Sequence, residues 1–252
     1  MKVYEKIESI IEAKGAAYFI LIDPDDIDLE SLSMFVKHCE DSGVDGFLVG
    51  GSLMINGYFN KFIETIKNNC SLPVVLFPGN VNQLSPSVDA LLYISLISGR
   101  NPEYLIGQHV LAAPIIKQYK MEAISTGYIL INSGKTTTVE YISDTKPIPA
   151  NKPSIALATA LAGKYMGMKM LYLEAGSGAA EAVPNDTIKL ISDECGIPLI
   201  VGGGIKDSYT AREKVLNGAS VVITGNYFEN KSNWNKIKEF ADAVHINESK
   251  LV

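Results

Sequence analysis

Hydrophobic residues along this chain fall into eight short runs that recur between segments of helical spacing. Most runs are continuously apolar rather than alternating, which is typical of strands buried on both faces of a parallel sheet. The runs are AYFILID (17–23), GFLVG (46–50), PVVLF (73–77), ALLYISLI (90–97), AISTGYILI (123–131), KMLYLEA (169–175), PLIVGG (198–203) and SVVITG (220–225). The pattern predicts eight parallel strands.

Helical segments separate most of these strands. LESLSMFVKHCEDSG follows the first run, YFNKFIETIKNN the second, EYLIGQHVLAAPIIKQYK the fourth, SYTAREKVLNG the seventh and SNWNKIKEFADAV the eighth, while SIALATALAGKYMG precedes the sixth. Eight β/α units in 252 residues predict a TIM (β/α)8 barrel, which typically needs about 250 residues. A doubly wound sheet is the structural alternative. Because no repeat or linker interrupts the pattern, we expect a single domain over residues 1–252.

Two connections depart from this pattern. Between the third and fourth runs lies only PGNVNQLSPSVD (78–89), whose two prolines and turn-forming residues leave no room for a regular helix. The barrel is therefore expected to be modified and to lack a regular third helix. The fifth connection, NSGKTTTVEYISDTKPIPANKP (132–153), reads as a long loop. Such loops are usually functional, or they take part in assembly.

Composition and charge narrow the classes of function. The chain is 47% hydrophobic with a net charge of -6, a soluble globular composition that argues against nucleic-acid binding. No apolar stretch is long enough to span a bilayer, and the N-terminal MKVYEKIESIIEAKG is amphipathic rather than a signal peptide. Three cysteines without paired spacing predict neither disulfides nor a zinc site. We expect a cytoplasmic protein.

Glycines cluster after the last two strands. Gly202, Gly203 and Gly204 follow the seventh run, and Gly225 and Asn226 follow the eighth. In TIM barrels these two loops often bind a phosphate, because bare backbone lets N–H groups approach an anion. Tight turns are the alternative explanation. The matching positions of the two clusters favour a phosphate ester as ligand.

Carboxylates mark the ends of two other strands. Asp23 ends the first run, Glu174 lies at the end of the sixth strand, and Ser52 lies after the second run. A carboxylate with a nearby hydroxyl suits a hard cation such as Mg²⁺. For Asp25, Asp26 and Asp28 the favoured interpretation is helix capping and first-turn charge.

The segments LIDPD, LVGGS, YLEAGSG, VGGGI and TGN, in this order, resemble those of geranylgeranylglyceryl phosphate synthases and their bacterial relatives. The resemblance covers nearly the whole chain, including the missing third helix. It implies a prenyltransferase of ether phospholipid biosynthesis, which joins sn-glycerol 1-phosphate to geranylgeranyl diphosphate through an ether bond and releases diphosphate. The prenyl chain length accepted, and hence the particular polyprenyl diphosphate, is left open.

The resemblance also implies residue roles. Asp23 and Ser52 would bind Mg²⁺ at the diphosphate, and Glu174 would take the proton from the attacking hydroxyl. Glycerol 1-phosphate would be bound by Tyr172, Leu173, Glu174, Ala175, Gly176, Ser177, Gly178, Gly203, Gly204, Gly225 and Asn226. Some relatives carry a lysine two residues before the first aspartate, where this chain has Leu21. Which cation replaces that lysine is left open.

Two further expectations concern the prenyl tail and assembly. Leu91, Ile94 and Leu111 could line an apolar groove beside the missing helix, or they could be ordinary barrel core. The LIDPDD segment and the long fifth connection resemble the larger group of the family, so we expect a homo-oligomer, either a dimer or a hexamer. Tyr141, in that connection, is a candidate interface anchor or simply an exposed tyrosine.

Two other functions fit the same residues. One is a sugar-phosphate isomerase of histidine or tryptophan biosynthesis, in which Asp23 would act as an acid or base without Mg²⁺. The other is a catalytically inactive barrel that binds a phosphorylated ligand through its glycine loops. Neither needs a prenyl donor.

Overall fold

All eight strands form and close into a barrel. The computed structural model describes residues 1–55 and 57–246, and the single domain predicted over 1–252 includes residues 56 and 247–252, which lie outside this described part. Neighbouring strands are parallel, and the eighth pairs with the first. The strands are β1 Ala17–Ile22, β2 Gly46–Val49, β3 Val74–Leu76, β4 Ala90–Leu96, β5 Glu122–Leu130, β6 Met170–Glu174, β7 Leu199–Gly202 and β8 Val221–Thr224. The TIM-barrel prediction is confirmed, and the doubly wound alternative is wrong because the sheet is closed.

Helices surround the barrel between most pairs of strands. They are α1 Val3–Lys14, α2 Leu29–Asp41, α3 Phe59–Asn69, α4 Gln108–Tyr119, α5 Thr138–Ser143, α6 Pro153–Tyr165, α7 Asn185–Cys195, α8 Ser208–Leu216 and α9 Ile237–Val244. A π-helical turn, Glu103–Gly107, precedes α4. Helix α7 was not among the segments predicted from spacing. None of the helices in the described ranges is long and apolar enough to cross a membrane.

The connection between β3 and β4 has no α-helix, as predicted. It contains a single 3₁₀ turn, Val81–Gln83. The buried Gln83 side chain fastens this turn to the barrel mouth, since its Nε2 donates to the Gly51 carbonyl (2.8 Å) and its Oε1 accepts from the Gly79 N–H (3.0 Å). These hydrogen bonds fix the short connection to the barrel. Because it contains no regular helix, the barrel wall beside β3 has no helix over it.

The fifth connection is more ordered than its sequence predicts. Helix α5 lies inside it, and Ile131 forms a parallel bridge with Ile148. The prediction of a continuous loop is therefore wrong, because local hydrogen bonds and an extension of the β5 edge order the segment. This connection folds back over the mouth of the barrel.

Strand side chains divide between two apolar layers. Alternate residues point inward and outward along each strand, so Leu92 and Leu96 belong to the barrel interior and Leu91 belongs to the layer beneath the helices. Leu91 is thus barrel core. Leu111 is exposed on α4. Of the three residues predicted for a groove, Leu91 is therefore excluded and Ile94 faces the barrel interior, while the role of the exposed Leu111 stays a prediction.

Helix α1 closes one end of the barrel. Val3 and Ile7 pack onto the interior layer, and the backbone N–H groups of Val3 and Tyr4 donate to the Glu122 carboxylate at the start of β5 (2.6 and 3.2 Å). The open end is therefore the one at the C-terminal edges of the strands, where TIM barrels carry their sites.

Candidate active site

One cavity of about 390 Å³ occupies the C-terminal mouth of the barrel. Its wall comes from the ends of β1, β2, β6, β7 and β8 and the loops that follow them. Of the residues predicted for the site, the cavity is lined by Asp23, Ser52, Tyr172, Glu174, Ser177, Gly178, Gly203, Gly204, Gly225 and Asn226. Leu173, Ala175 and Gly176 belong to the same strand and turn but do not line it. Barrel closure thus brings together residues about 200 positions apart in the chain.

The consecutive glycines after β7 meet the turn after β6 at close range. Gly203 has φ +82°, and a Cβ on it would stand 2.8 Å from the Gly176 nitrogen and 2.9 Å from the Ala175 nitrogen. Gly204 has φ +72°, and its Cβ would stand 2.8 Å from the Ala182 nitrogen. Both positions therefore require glycine for backbone conformation and for the approach of a neighbouring loop. Gly225, at φ -141°, carries no such conformational demand.

Asn226 joins the loops after β6 and β8. Its Oδ1 accepts hydrogen bonds from the Ser177 hydroxyl (2.8 Å) and the Gly178 N–H (3.1 Å). Its Nδ2 donates to Glu229 Oε1 (2.5 Å). Two donors suited to an anion thus converge on one point, where the Asn226 amide oxygen now lies.

Glu174 ends β6 and is buried at the floor of the cavity. Its Oε1 accepts from the Gly176 N–H (2.7 Å). Burial raises the pKa of this carboxyl, while the Gly176 N–H bond and the nearby Tyr172 hydroxyl and Ala175 N–H oppose the rise. A carboxylate with a raised pKa, oriented by backbone donors, is suited to accept a proton.

Asp23 approaches the loop after β2. Strands β1 and β2 pair in register at their ends, Ile22 opposite Val49. The Asp23 Oδ1 accepts from the Asp25 N–H (3.0 Å), and a Cβ on Gly51 would clash with the Asp23 carboxylate. Gly51 thus gives Asp23 access to the segment that carries Ser52. Burial, followed by the nearby Asp26 and Asp25 carboxylates, raises the pKa of Asp23 to about 6.

The three aspartates predicted to cap or charge α2 differ in what they contact. Asp28 caps α2, accepting from the Ser31 N–H (2.8 Å), as predicted. Asp26 instead faces the cavity and Asp25 accepts from the Ile55 N–H (2.8 Å), so the capping prediction is wrong for both.

Glu229 is a further carboxylate that lines the cavity. Burial and the Asp26 carboxylate raise its pKa to about 7. Glu229 lies three residues beyond TGN, and no sequence signal marks it.

An apolar crevice continues from the cavity towards the missing helix. It shares Gly51, Ser52, Phe77, Tyr128 and Val139 with the cavity and adds Gly79, Ile94, Leu96, Tyr104, Ile142 and Ser143. Three aromatic rings stand where the two spaces meet, with Phe77 5.9 Å from Tyr128 and 5.4 Å from Tyr172 between centroids. Helix α5, from the fifth connection, contributes Val139 and Ile142. An elongated apolar group could therefore extend from the cavity into the crevice.

The closed barrel and the cavity at its C-terminal mouth define the protein as a TIM-barrel enzyme. The chain belongs to the PcrB family, whose profile matches residues 8–244. The resemblance inferred from the sequence is thereby confirmed.

Named relatives of the chain agree on one activity. It is 46% identical over 235 residues to the geranylgeranylglyceryl phosphate synthase of Chitinophaga pinensis, which covers 93% of this chain and 92% of the relative. Among solved structures, it resembles the wild-type synthase of Thermoplasma volcanium (TM-score 0.91, 32% identity, 97% of this chain and 98% of the other). It also resembles (S)-3-O-geranylgeranylglyceryl phosphate synthase of Thermoplasma acidophilum in complex with substrate sn-glycerol-1-phosphate (TM-score 0.90, 30% identity, 97% and 99%).

Proposed function

We propose that this protein is a geranylgeranylglyceryl phosphate synthase, a prenyltransferase that forms an ether bond between sn-glycerol 1-phosphate and geranylgeranyl diphosphate. One observation carries the proposal. The buried Glu174 lies in a single cavity between glycine loops on one side and Asp23 with Ser52 on the other, and that cavity opens into an apolar crevice. The proposed sites for the acceptor phosphate, the diphosphate and the prenyl tail would thus adjoin one another, with the proton acceptor Glu174 between them.

Glycerol 1-phosphate would bind at the loops after β6, β7 and β8. Ser177 and Gly178 supply a hydroxyl donor and an N–H donor that converge on the Asn226 amide oxygen, and Gly203, Gly204 and Gly225 leave their backbone accessible from the cavity. With the phosphate held there, the glycerol hydroxyls would extend towards Glu174. Tyr172, which precedes it by two residues on β6, would position the glycerol from the same strand face.

The diphosphate would bind beside Asp23 and Ser52. A carboxylate and a hydroxyl are hard oxygen ligands, and Gly51 lets the Asp23 carboxylate approach the segment of Ser52. These residues fit a Mg²⁺ ion, which proteins commonly hold with one or two carboxylates together with substrate phosphates rather than in a protein cage. When bound, the ion would neutralise charge on the leaving diphosphate.

The reaction breaks the bond between the allylic C1 and the diphosphate oxygen and forms a bond from C1 to the glycerol oxygen. The hydroxyl proton would pass to Glu174, and diphosphate would leave with the bonding electrons. The rings of Phe77, Tyr128 and Tyr172 line the cavity together, and aromatic faces would stabilise the positive charge that develops on C1 beside them. Phe77 and Tyr128 would also guide the prenyl tail into the crevice.

The alternative functions are less well supported. A sugar-phosphate isomerase has no use for the apolar crevice that begins at Ser52. An inactive binding protein has no use for a buried carboxylate, because burying a charge is costly. Membership of the PcrB family favours prenyl transfer over both.

A product assay tests the proposal. Purified protein is incubated with labelled sn-glycerol 1-phosphate and prenyl diphosphates of several lengths, with and without Mg²⁺. We expect Mg²⁺-dependent formation of an organic-soluble ether product. Sn-glycerol 3-phosphate should react about 10²-fold more slowly, because fixing the phosphate misplaces its attacking oxygen. Equal rates with both enantiomers would contradict the two-point arrangement, and turnover of a sugar phosphate without any prenyl donor would support the isomerase.

The homo-oligomeric state and the cytoplasmic location remain predictions from the sequence. A membrane lipid precursor is the product expected from the proposed reaction. Its prenyl length is to be read from the assay, since the crevice is open along its edge.

A further inference from the structure

The charges that line the cavity are unequal. Four carboxylates face it, those of Asp23, Asp26, Glu174 and Glu229, and Lys206 is the one cationic side chain among the described lining residues. Both proposed substrates are anions. Mg²⁺ would offset the carboxylates around Asp23, but the opposite side of the cavity needs a positive charge of its own.

Lys206 lies on that opposite side. It follows Gly203, Gly204 and Ile205 and precedes Asp207, the N-cap of α8. Its Nζ lies 3.5 Å from the carbonyl oxygen of Ala180, on the loop after β6. The side chain thus spans from the β7 loop to the β6 loop, which also carries the donors Ser177 and Gly178.

The ammonium group of Lys206 has no strong partner within residues 1–55 and 57–246. No carboxylate of this part forms an ion pair with it, and the long contact to the neutral Ala180 carbonyl is weak. A phosphate dianion at the neighbouring donors would offer a charge-assisted hydrogen bond, which is shorter and stronger. The lysine is therefore available to a ligand.

Leu21, on β1, supplies no charge to the cavity. It lines the cavity with an apolar side chain. Its backbone oxygen would stand 3.3 Å from a Cβ on Gly225, so it borders the same glycine loops as the proposed phosphate. Strand β1 thus contributes no positive charge there.

We propose that Lys206 binds the phosphate group of glycerol 1-phosphate. This inference rests on the proposed function and deepens it. Lys206 acts on the acceptor substrate and does not touch the diphosphate, because Asp23 and Ser52 lie across the cavity, on the β1–β2 side.

Calorimetric titration with sn-glycerol 1-phosphate, together with steady-state kinetics, tests this assignment. For Lys206→Gln we expect a Kd and a KM for glycerol 1-phosphate raised about 10- to 100-fold, as for a lost charge-assisted hydrogen bond. The kcat and the KM for prenyl diphosphate should stay within about twofold. Lys206→Arg should restore most of the affinity, and the salt dependence of binding should be flatter in the Gln variant.

Lys135→Gln is the matched control. Lys135 is exposed, lies outside the cavity lining, and its Nζ lies 3.7 Å from the place of a Cβ on Gly178, so it removes the same charge near the same loop. We expect it to change Kd less than about twofold.

Three results would overturn the inference: unchanged affinity in Lys206→Gln, equal losses in both variants, or a raised KM for prenyl diphosphate instead. Each requires that the wild type binds glycerol 1-phosphate and forms product. A wild type that does neither refutes the proposed function itself, so the two failures can be told apart.

Discussion

The two sides of the barrel mouth differ in the chemical groups that line them. On the side of β6, β7 and β8, main-chain groups and short polar side chains form the surface, and positions such as Gly203 admit no side chain. On the side of β1, β2 and β3, a carboxylate stands next to an apolar crevice with aromatic walls. Glu174 lies between the two sides.

This difference separates two kinds of recognition. In the proposed reaction, backbone N–H groups would hold a small dianion in one orientation, and their geometry is set by the packing of neighbouring loops. The Asp23 carboxylate with a metal ion would hold a diphosphate by charge, and the crevice would accept a tail by apolar contact. Damage on one side should therefore leave binding on the other side intact.

Asp23→Asn is expected to have the largest effect. If Asp23 is a ligand of the proposed metal ion, its loss would remove several kcal/mol of leaving-group stabilisation, so kcat should fall at least about 10³-fold. Affinity for glycerol 1-phosphate should stay unchanged. Wild-type protein in EDTA should lose its activity in the same way. Kinetics together with titration of Mg²⁺ measure the effect.

Asp25→Asn is the control for that variant, because the Asp25 side chain accepts from the Ile55 N–H and does not line the cavity. It should retain activity. Full turnover of the wild type in EDTA would remove the metal from the mechanism.

Glu174→Gln tests the residue between the two sides. It keeps the shape and an acceptor for the Gly176 N–H but removes the base, so kcat should fall about 10²-fold with a smaller change in glycerol phosphate affinity. Near-normal kcat would reduce Glu174 to an orienting group.

The same variant should be more stable than the wild type at neutral pH. Burial raises the pKa of Glu174 in the folded state, so its ionised form costs stability at higher pH, and that cost disappears as pH falls through the folded pKa. Tm should rise by about 2–4 °C for each kcal/mol relieved. The difference between Tm values should shrink on acidification, which calorimetry at several pH values measures.

Gly203→Ala and Gly225→Ala compare two glycines of the backbone side. At Gly203 the positive φ and the nearby Gly176 and Ala175 nitrogens should cost about 1–3 kcal/mol, lowering Tm by roughly 2–12 °C. The displaced β6 turn should lower kcat as well as affinity. A selective loss of phosphate affinity in a Gly203 variant is therefore not expected.

Gly225 has negative φ, and the nearest atom to its Cβ would be the Leu21 oxygen at 3.3 Å. Alanine there should change Tm by less than about 2 °C, within the usual range for substitutions away from strained sites. Equal Tm losses in the two variants would contradict the role of φ at Gly203.

Tyr141→Ala should have the smallest effect on catalysis. Tyr141 is 79% exposed on α5, whose Val139 and Ile142 line the crevice. If it anchors an interface, light scattering should show a lower mass, and only the KM for prenyl diphosphate should shift. Tyr209, 72% exposed on α8, is the matched control and should leave the mass unchanged. An unchanged mass in the Tyr141 variant would exclude it as an anchor.

Much of the fold could be read from the sequence, since each signal was local. Continuous apolar runs predict buried parallel strands, and each of the eight predicted runs matches a strand to within one residue at either end. The prolines of residues 78–89 exclude a helix whatever packs nearby, and a single 3₁₀ turn is found there. Glycines after β7 and β8 likewise marked one side of the site.

The remaining features of the site depended on barrel closure and on which face of its strand each residue occupies. Leu91 and Ile94 look alike in the sequence, but they lie on opposite faces of β4 because their spacing is odd. Asp26, Lys206 and Glu229 are separate in the chain and face one cavity only when β8 pairs with β1. Their chemical types were visible from the start, but the charges they oppose across the cavity are set by the tertiary structure, because nonlocal distance determines electrostatic interaction.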